Sequence, residues 1–354
     1  MKAGAVTPSQ RDSARLVEMA VPSPGRSEVL VKILEVGIDG TDIEINRGQY
    51  GEPPEDHDFL VLGHEALGSI ENPGTTEFGK GELVVPLVRR PDGCVNCRSG
   101  QSDMCSERNY HECGIRGAHG FLRGYLAEAP GFLVRVPQEL RHLAVLTEPM
   151  SIATKGIDQA IEFHRRSANP IQVALVLGAG SLGLLATASL RLQGFNTYTL
   201  DIVPKSSLKA QLVEAIRASY LDGSDSLITE LPRQIGNLDL VVEATGNSTI
   251  AFQAISALGV NGVLCLMGVS TGEKPLEICA DCLNMEMVLG NKVVFGTVSS
   301  NRGHFEHAAQ LLGQIDHRWP GWLDRIITRR LTLGDFRDAL QPTADGIKTV
   351  IEIP

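Results

Sequence analysis

From Ile171 onward the chain alternates short apolar runs with longer stretches of helical texture. The runs are Val173 to Leu177, the segment after Gly183, Thr197 to Leu200, Lys205 to Ser219, Leu238 to Glu243, Thr249 to Leu258 and Gly262 to Val269. Such alternation predicts βαβ units in a doubly wound parallel sheet. The portion before it reads differently: Val29 to Val36, Phe59 to Ile70 and Glu82 to Val88 are short β-type runs separated by Gly, Pro and Asp. Residues 1–150 are therefore expected to form a strand-rich domain. After Asn291 to Val298, which reads as one more buried strand, come a helix-like stretch near His304 to Gln314 and a strand-like Ile347 to Ile353. This tail is too short for a separate domain. Residues 302–354 are expected to complete the first domain, with residues 151–301 inserted as the second, and no internal repeat or low-complexity segment competes with that division.

Ile171 to Leu190 carries no charge and is long enough to span a bilayer. Gln172 and the group Gly178, Gly180, Ser181 and Gly183 divide it into an apolar strand, a turn and a helix start, so no membrane span is expected.

Length and charge agree with this organisation. A chain of 354 residues suits two domains. A formal charge of -10 with no basic block argues against nucleic acid or an anionic membrane as partner. Met1 to Ser13 has neither the apolar core of a secretory signal nor an arginine-rich amphipathic pattern, so a cytoplasmic location is expected. Of seven cysteines, Cys94, Cys97, Cys105 and Cys113 crowd into twenty residues, which in a reducing compartment suggests metal before disulfide. Cys265 reads as an apolar strand residue, and Cys279 with Cys282 forms a second Cys-x-x-Cys without a further partner nearby, so no third metal site is expected.

Gly178-Ala179-Gly180-Ser181-Leu182-Gly183 follows an apolar strand and opens a helical stretch. In that setting glycines let the backbone approach a pyrophosphate at a helix N-terminus, whose free N–H groups favour the anion. Asp201 closes the next apolar strand 18 residues beyond Gly183, where a carboxylate accepts bonds from the adenosine ribose hydroxyls and repels a 2'-phosphate. With Ile202, Val203 and Pro204 following rather than arginines, NAD is favoured, NADP remaining open. The bland alternative is a tight βα turn beside a solvated aspartate.

His64 lies in Gly63-His64-Glu65-Ala66-Leu67-Gly68, after the apolar Phe59 to Leu62. Asp39, in Gly37-Ile38-Asp39-Gly40-Thr41-Asp42, and Glu148, in Leu146-Thr147-Glu148-Pro149, sit in apolar or glycine-bounded surroundings where an unpaired charge is expensive. These motifs, in this order along the whole chain, resemble the zinc-containing medium-chain dehydrogenases. Asp39 stands where most of that superfamily has cysteine. Together with Phe59 to Ala66, Val84-Val85-Pro86 followed by Arg89-Arg90, and Glu112 before Gly114-Ile115, it resembles the glucose dehydrogenase branch described from archaea.

The resemblance implies an α/β protein with a GroES-like, β-rich catalytic domain and a Rossmann nucleotide-binding domain. It makes Asp39, His64 and Glu148 the catalytic zinc ligands, Glu148 directly or through water, with Glu65 close by as a supporting or substrate-binding carboxylate. A carboxylate in place of a thiolate should loosen zinc and widen the range of metals accepted. Thr41 would bond the reacting oxygen and pass its proton outward, although Thr41 and Asp42 also read as helix N-cap residues. Glu112, Glu148 and Ser299 would contact the sugar. Ser299 departs from the asparagine of related enzymes, and the bland alternative for Glu112 is a solvated loop carboxylate. The turn Glu243-Ala244-Thr245-Gly246 would lie under the nicotinamide half. Cys94, Cys97 and Cys105 match three of four ligands of a structural zinc, the fourth being Cys113, Asp92 or another nearby group; the alternative is a lobe of free thiols.

The activity implied is oxidation of the anomeric hydroxyl of an aldose such as glucose to the aldonolactone, with hydride transfer to NAD. Polyol, secondary alcohol or amino-acid oxidation within the same superfamily is the enzymatic alternative, and a non-catalytic dinucleotide-binding protein the other. The superfamily also implies a homo-oligomer, dimer or tetramer, paired through Asn291 to Val298.

Overall fold

Val29–Ile38 is the longest strand and the centre of the first sheet. Its inward positions Val29, Val31 and Ile33 alternate with half-exposed neighbours, the signature of a sheet with one buried face. The computed structural model describes residues 1–224, 227–272 and 275–354. They group into two units, one of Met1–Ser151, Ser299–Gln314 and Leu323–Pro354, the other of Ile152–Val298 and Ile315–Trp322.

In the first unit the sheet runs Leu133–Val136, Leu83–Pro86, Glu65–Asn72, Val29–Ile38, Lys348–Glu352, Ile327–Thr332, and Tyr125–Glu128 also pairs with Val29–Ile38. All pairings are antiparallel except that of Ile327–Thr332 with Lys348–Glu352. The C-terminal strand thus lies beside the central one. Ile327–Thr332 was not anticipated: its half-buried, alternating Ile-Thr-Arg-Arg-Leu-Thr pattern is that of an edge strand and carries too little apolar signal. The apolar run from Phe59 to Ile70 is two strands, Leu60–Val61 and Glu65–Asn72, because Gly63 turns the chain at φ +83°. A Cβ at that glycine would meet Val36 Cγ1 at 2.5 Å.

The second unit is a six-stranded parallel sheet in the order Ser219–Asp222, Asn196–Asp201, Val173–Leu177, Leu240–Glu243, Val263–Leu266, Val293–Gly296. This is the doubly wound order, with the switch point beside Val173–Leu177. Ala174, Val176, Leu240, Val242, Val263 and Cys265 point to one face, against Ala153, Ile157 and Ala160 of the helix Thr147–His164 and Ala186 and Leu190 of Ser181–Leu192. Leu175, Leu177, Val241 and Leu264 point to the other, against Ala254 and Ala257 of Ser248–Ala257. Burial of each such Val or Leu stabilises by roughly 1.5–3 kcal/mol, which is why these strands read as continuous apolar runs.

Lys205 to Ser219, expected as one helical stretch, is the helix Leu208–Ala215 followed by the strand Ser219–Asp222. Ser207 caps the helix by accepting Ala210 N, and Arg217 turns the chain out of it at φ +59°. Trp322, within the second unit, donates its indole N–H to Leu212 O at 2.8 Å. Among the described residues no helix is long and apolar enough to cross a membrane.

Candidate active site

The helix Gly40–Asn46 begins where the central strand of the first sheet ends, and its N-cap is Asp39. Asp39 Oδ1 accepts the N–H groups of Thr41 at 2.8 Å and Asp42 at 3.3 Å, and Asp42 Oδ2 accepts Asp39 N in return at 3.2 Å. This capping box differs from the sequence expectation: Asp39 is the cap, and Asp42 is the residue that closes the box. The cap occupies one oxygen of Asp39. The other, Oδ2, accepts from Thr41 Oγ1 at 3.3 Å and lies 3.6 Å from His64 Nε2.

His64 follows the Gly63 turn, which Asp42 Oδ1 ties down through Gly63 N at 2.9 Å. Its ring is buried, and Nδ1 has no hydrogen-bond partner, the nearest carboxylate oxygen being Asp42 Oδ2 at 4.0 Å. Asp39, His64 and Glu65 each offer a ligand atom within 4.8 Å of the other two. Glu148, at the start of the helix Thr147–His164, is buried and close enough for its charge to act on His64, but stands outside that group of three. Both Glu65 oxygens are taken by Lys348 Nζ at 2.7 Å.

The electrostatics are those of a site built around a cation. Burial pushes the Glu148 carboxyl up to about 8, with the charges of Glu65 and Asp39 adding to it and His64 opposing. Burial likewise carries Asp42 up to about 7, helped by Asp39. Burial would lower His64, but Asp39, Asp42 and Glu148 outweigh it and hold the imidazole well above its ordinary value. Burial would raise Asp39; the charges of His64 and Lys348 hold it low instead. A divalent ion held by these residues would favour their deprotonated forms.

The donors fit zinc. Two ligands about 2.05 Å from a tetrahedral zinc stand about 3.3 Å apart, close to the 3.6 Å between Asp39 Oδ2 and His64 Nε2.

Glu112 lies on the strand His111–Cys113 and is buried, so it is not a solvated loop carboxylate. Arg89 donates to Glu112 Oε1 through Nε at 3.1 Å and Nη2 at 2.8 Å, and through Nη1 to the carbonyls of Ser102 and Asp103. The guanidinium also sits 3.7 Å from the Tyr110 ring centroid. Sequence reasoning noted Arg89 only as context; its buried partner could not be paired from sequence. Ser299 has φ +58°, a conformation that asparagine tolerates better than most residues. Next to it, Ser300 Oγ lies 2.6 Å from Ser151 Oγ, which donates to Glu148 O at 2.6 Å, so the Ser299 segment is tied to the turn that carries Glu148.

A second cluster lies in the lobe after Arg90. Asp92, Cys94, Cys97 and Cys105 offer ligand atoms within 4.8 Å of one another, whereas Cys113 is buried outside the group. Cys94 Sγ lies 3.5 Å from Cys97 Sγ and 3.9 Å from Cys105 Sγ, near the separation of about 3.8 Å that Zn–S bonds of 2.3 Å impose in a tetrahedron. Asp92 Oδ2 completes the set 2.8 Å from Cys105 Sγ. N–H groups of Cys97 and Ser106 pull the Cys94 thiol down to about 6. Cys279 and Cys282, without a partner in the sequence reading, are joined to each other as a disulfide.

In the second unit Gly178, at φ +101°, leads from its strand into a turn, and a Cβ on Gly183 would lie 1.9 Å from Gly178 O. Gly180 caps the helix Ser181–Leu192 without a side-chain bond, leaving the N–H groups at Ser181 and Leu182 facing an open turn. Asp201 ends the neighbouring strand and is fixed to that turn: Oδ2 accepts Ala179 N and Oδ1 accepts Ile202 N, both at 2.7 Å. Across the switch point, Glu243 is buried and accepts the N–H groups of Thr245 and Gly246 and the Thr245 hydroxyl, which holds exposed Thr245 beside Gly178.

A β-rich unit with a buried carboxylate-imidazole cluster able to hold a metal ion, joined to a doubly wound sheet with a glycine turn, defines a medium-chain dehydrogenase. Residues 25–138 match the alcohol dehydrogenase GroES-like domain, and residues 141–353 match the glucose dehydrogenase C-terminus. A glucose 1-dehydrogenase of Methanocella arvoryzae is 45% identical over 357 residues, covering 100% of this chain and 99% of that protein. A glucose 1-dehydrogenase of Thermoproteus tenax is 40% identical with the same coverage. The structure of Haloferax mediterranei glucose dehydrogenase in complex with NADP, Zn and gluconolactone superposes with a TM-score of 0.93 at 36% identity, covering 100% of this chain and 99% of that one. The chain belongs to the glucose dehydrogenase family.

Proposed function

We propose that this protein oxidises the anomeric hydroxyl of an aldose, glucose first among candidates, to the aldonolactone, with NAD as hydride acceptor. The observation that carries the reading is the convergence of Asp39 Oδ2 and His64 Nε2, 3.6 Å apart, with the buried carboxylate of Glu148 close enough for its charge to act on His64. Asp39, His64 and Glu148 would hold the catalytic zinc, and Asp92, Cys94, Cys97 and Cys105 a structural one. When bound, catalytic zinc supplies Lewis-acid stabilisation of the negative charge that develops on the anomeric oxygen.

The chain's own residues do the rest. The Thr41 hydroxyl, oriented by Asp39, would accept the proton of the anomeric O–H while releasing its own to solvent water. A nicotinamide cofactor, when bound, would supply the acceptor for the C1 hydrogen and its electron pair, the C1–O1 bond becoming the lactone carbonyl. Glu112, held by Arg89, with Glu148 and Ser299 provides acceptors and donors for the ring hydroxyls, while Glu65, both of whose oxygens accept from Lys348, supports the site from behind. Gly178, Gly180, Ser181, Leu182 and Gly183 take the pyrophosphate, Asp201 the adenosine ribose, and Thr245 supports the nicotinamide half. The Haloferax mediterranei relative holds NADP. Here the Asp201 carboxylate would repel a 2'-phosphate, and exposed Ile202 offers it no positive charge, so NAD is the preferred cofactor.

The same proposal includes a cytoplasmic location, for which the thiols of Cys94, Cys97, Cys105, Cys113 and Cys265 speak and the Cys279–Cys282 disulfide does not. It also includes a homo-oligomer, a dimer or tetramer. The sheet of the second unit ends in Val293–Gly296, and the helix before it exposes Met285, Val288 and Leu289.

The test is NADH or NADPH formation by zinc-loaded protein across glucose, galactose, xylose, sorbitol, threonine and secondary alcohols. Oxidation of aldoses with NAD, release of lactone and loss of turnover in His64→Ala are expected. Turnover confined to polyols, alcohols or threonine would overturn the substrate assignment, and a preference for NADP the cofactor assignment.

A further inference from the structure

The chain holds two Cys-x-x-Cys runs, and each opens a helix: Cys94 is the N-cap of Val95–Arg98, and Cys279 the N-cap of Ala280–Leu289. Their surroundings differ. Cys94 and Cys97 face Asp92 and Cys105, four donors that a zinc ion can close. Among the described residues no third donor joins Cys279 and Cys282 in such a group, and the two sulfurs are bonded to each other instead. Both residues are exposed, so the bond braces no core. Closing a loop with a sequence separation of 3 also removes little freedom from the unfolded chain. Structural support is a weak reason for this disulfide to be there.

The local geometry suits exchange. Cys279 Sγ accepts Cys282 N at 3.4 Å, and Leu283 N closes the first helical turn on Cys279 O at 3.0 Å. The cap sulfur therefore sits at the positive end of a 10-residue helix, whose N–H groups stabilise a thiolate once the bond is broken. Asp281 in the first turn and Glu277 just before the helix oppose this with negative charge. Both are exposed and screened by solvent, whereas the N–H contact is direct. The pair also opens onto a cavity of about 250 Å³ lined by Phe252, Leu276, Ile278 and Leu283, through which a small molecule can approach the sulfurs.

We propose that Cys279 and Cys282 form a reversible thiol–disulfide exchange site whose substrates are low-molecular-weight thiols and disulfides. The hydride transfer proposed above gives the pair no part, so this activity stands apart from it. In the reducing direction a thiolate of a small dithiol attacks one sulfur. The Cys279–Cys282 bond breaks, and its electron pair leaves with the other sulfur, which takes up a proton. The second thiol of the dithiol then attacks the mixed disulfide and releases the first cysteine. Two electrons and two protons pass to the protein, and the dithiol ends as a disulfide. In the reverse direction the Cys279 thiolate opens an incoming disulfide, and Cys282 resolves the mixed disulfide by displacing the second thiolate.

The experiment equilibrates the folded protein, without denaturant, with dithiothreitol or with oxidised glutathione, quenches with an alkylating reagent and maps the labelled peptides. Mapping separates the pair from the five free cysteines. Cys279 and Cys282 should be labelled together after dithiothreitol and protected together after oxidised glutathione, over repeated cycles. A pair that dithiothreitol opens only after denaturation is a closed structural bond, and a pair still labelled after oxidised glutathione is a plain dithiol; either result overturns the proposal. Cys282→Ser and Cys279→Ser then assign the roles. Toward an aromatic disulfide, Cys279 in the first variant should form its mixed disulfide at least about threefold faster than Cys282 in the second. That is the gain left when an about tenfold rise in thiolate is offset by its lower nucleophilicity. Equal or reversed rates overturn the part given to the cap sulfur. If either variant does not fold, the cycling of the wild type decides alone.

Discussion

Asp42 accepts Gly63 N through Oδ1 at 2.9 Å and Asp39 N through Oδ2 at 3.2 Å, so one buried carboxylate fixes the backbone at Asp39 and next to His64, two of the three ligand candidates. Asn at this position presents a donor to one of the two N–H groups. Asp42→Asn should therefore weaken zinc binding by about 10–100-fold, as loss of groups that orient metal ligands does, and destabilise the fold by about 1–3 kcal/mol. Chelator competition and thermal unfolding measure the two effects separately. Full zinc affinity in the variant would remove Asp42 from the support of the centre.

Arg89 and Glu112 form a buried pair with 2% and 8% side-chain exposure. Arg89→Met leaves the carboxylate without its partner and should destabilise by about 3–5 kcal/mol. Lys in its place keeps the charge but loses the fork that also binds the Ser102 and Asp103 carbonyls, so Arg89→Lys should fall between wild type and Arg89→Met. Thermal unfolding of the three proteins in one buffer gives the order.

Asp92 is the only carboxylate in the cysteine lobe's ligand group. Asp92→Ala should lose one equivalent of zinc under mild chelation and unfold at a lower temperature, while the remaining zinc still supports turnover. Metal analysis after dialysis checks this. Retention of both equivalents would point to a different fourth ligand.

His119 Nδ1 accepts Val61 N at 3.2 Å, and its ring stacks on Phe59 with centroids 5.0 Å apart. Burial, with the charges of His57 and Arg123 adding, lowers its pKa to about 4. The folded state therefore resists a proton that the unfolded chain accepts near 6.5. Stability from this group is complete above about 6.5 and declines as pH falls toward about 4. His119→Phe should be less stable at pH 7 by about 1–3 kcal/mol, because Val61 N–H loses its acceptor, and should show a flatter loss of stability between those two pH values. Unfolding midpoints across that range test it.

The second unit was legible because its information is local. Apolar strands of four to six residues, the turn from Gly178 to Gly183 and the aspartate one strand on lie within a single stretch of chain, and periodicity alone orders them. The strand Ser219–Asp222 escaped because it follows its helix with no proline or glycine between, only Arg217 in a left-handed conformation. At the proposed metal site, Asp39, His64 and Glu148 could be singled out as residue types out of place in apolar or glycine-bounded surroundings. Lys348 could not: it sits in a stretch that reads simply as strand-like, and its meaning comes from a partner 283 positions away. The fourth member of the cysteine cluster was left open for a related reason, since spacing did not separate Asp92 from Cys113, whereas the fold turns Cys113 inward.

The strand that carries Lys348 has an implication for biogenesis. It seats itself against Val29–Ile38 only after the whole nucleotide-binding unit has left the ribosome, so until then Glu65 has no counter-ion and the sheet of the first unit has an open edge. A nascent chain in that state has high contact order still to be satisfied, and its folding is correspondingly slow. The sheet of the first unit therefore closes only when Lys348–Glu352 arrives, after the inserted unit has been made.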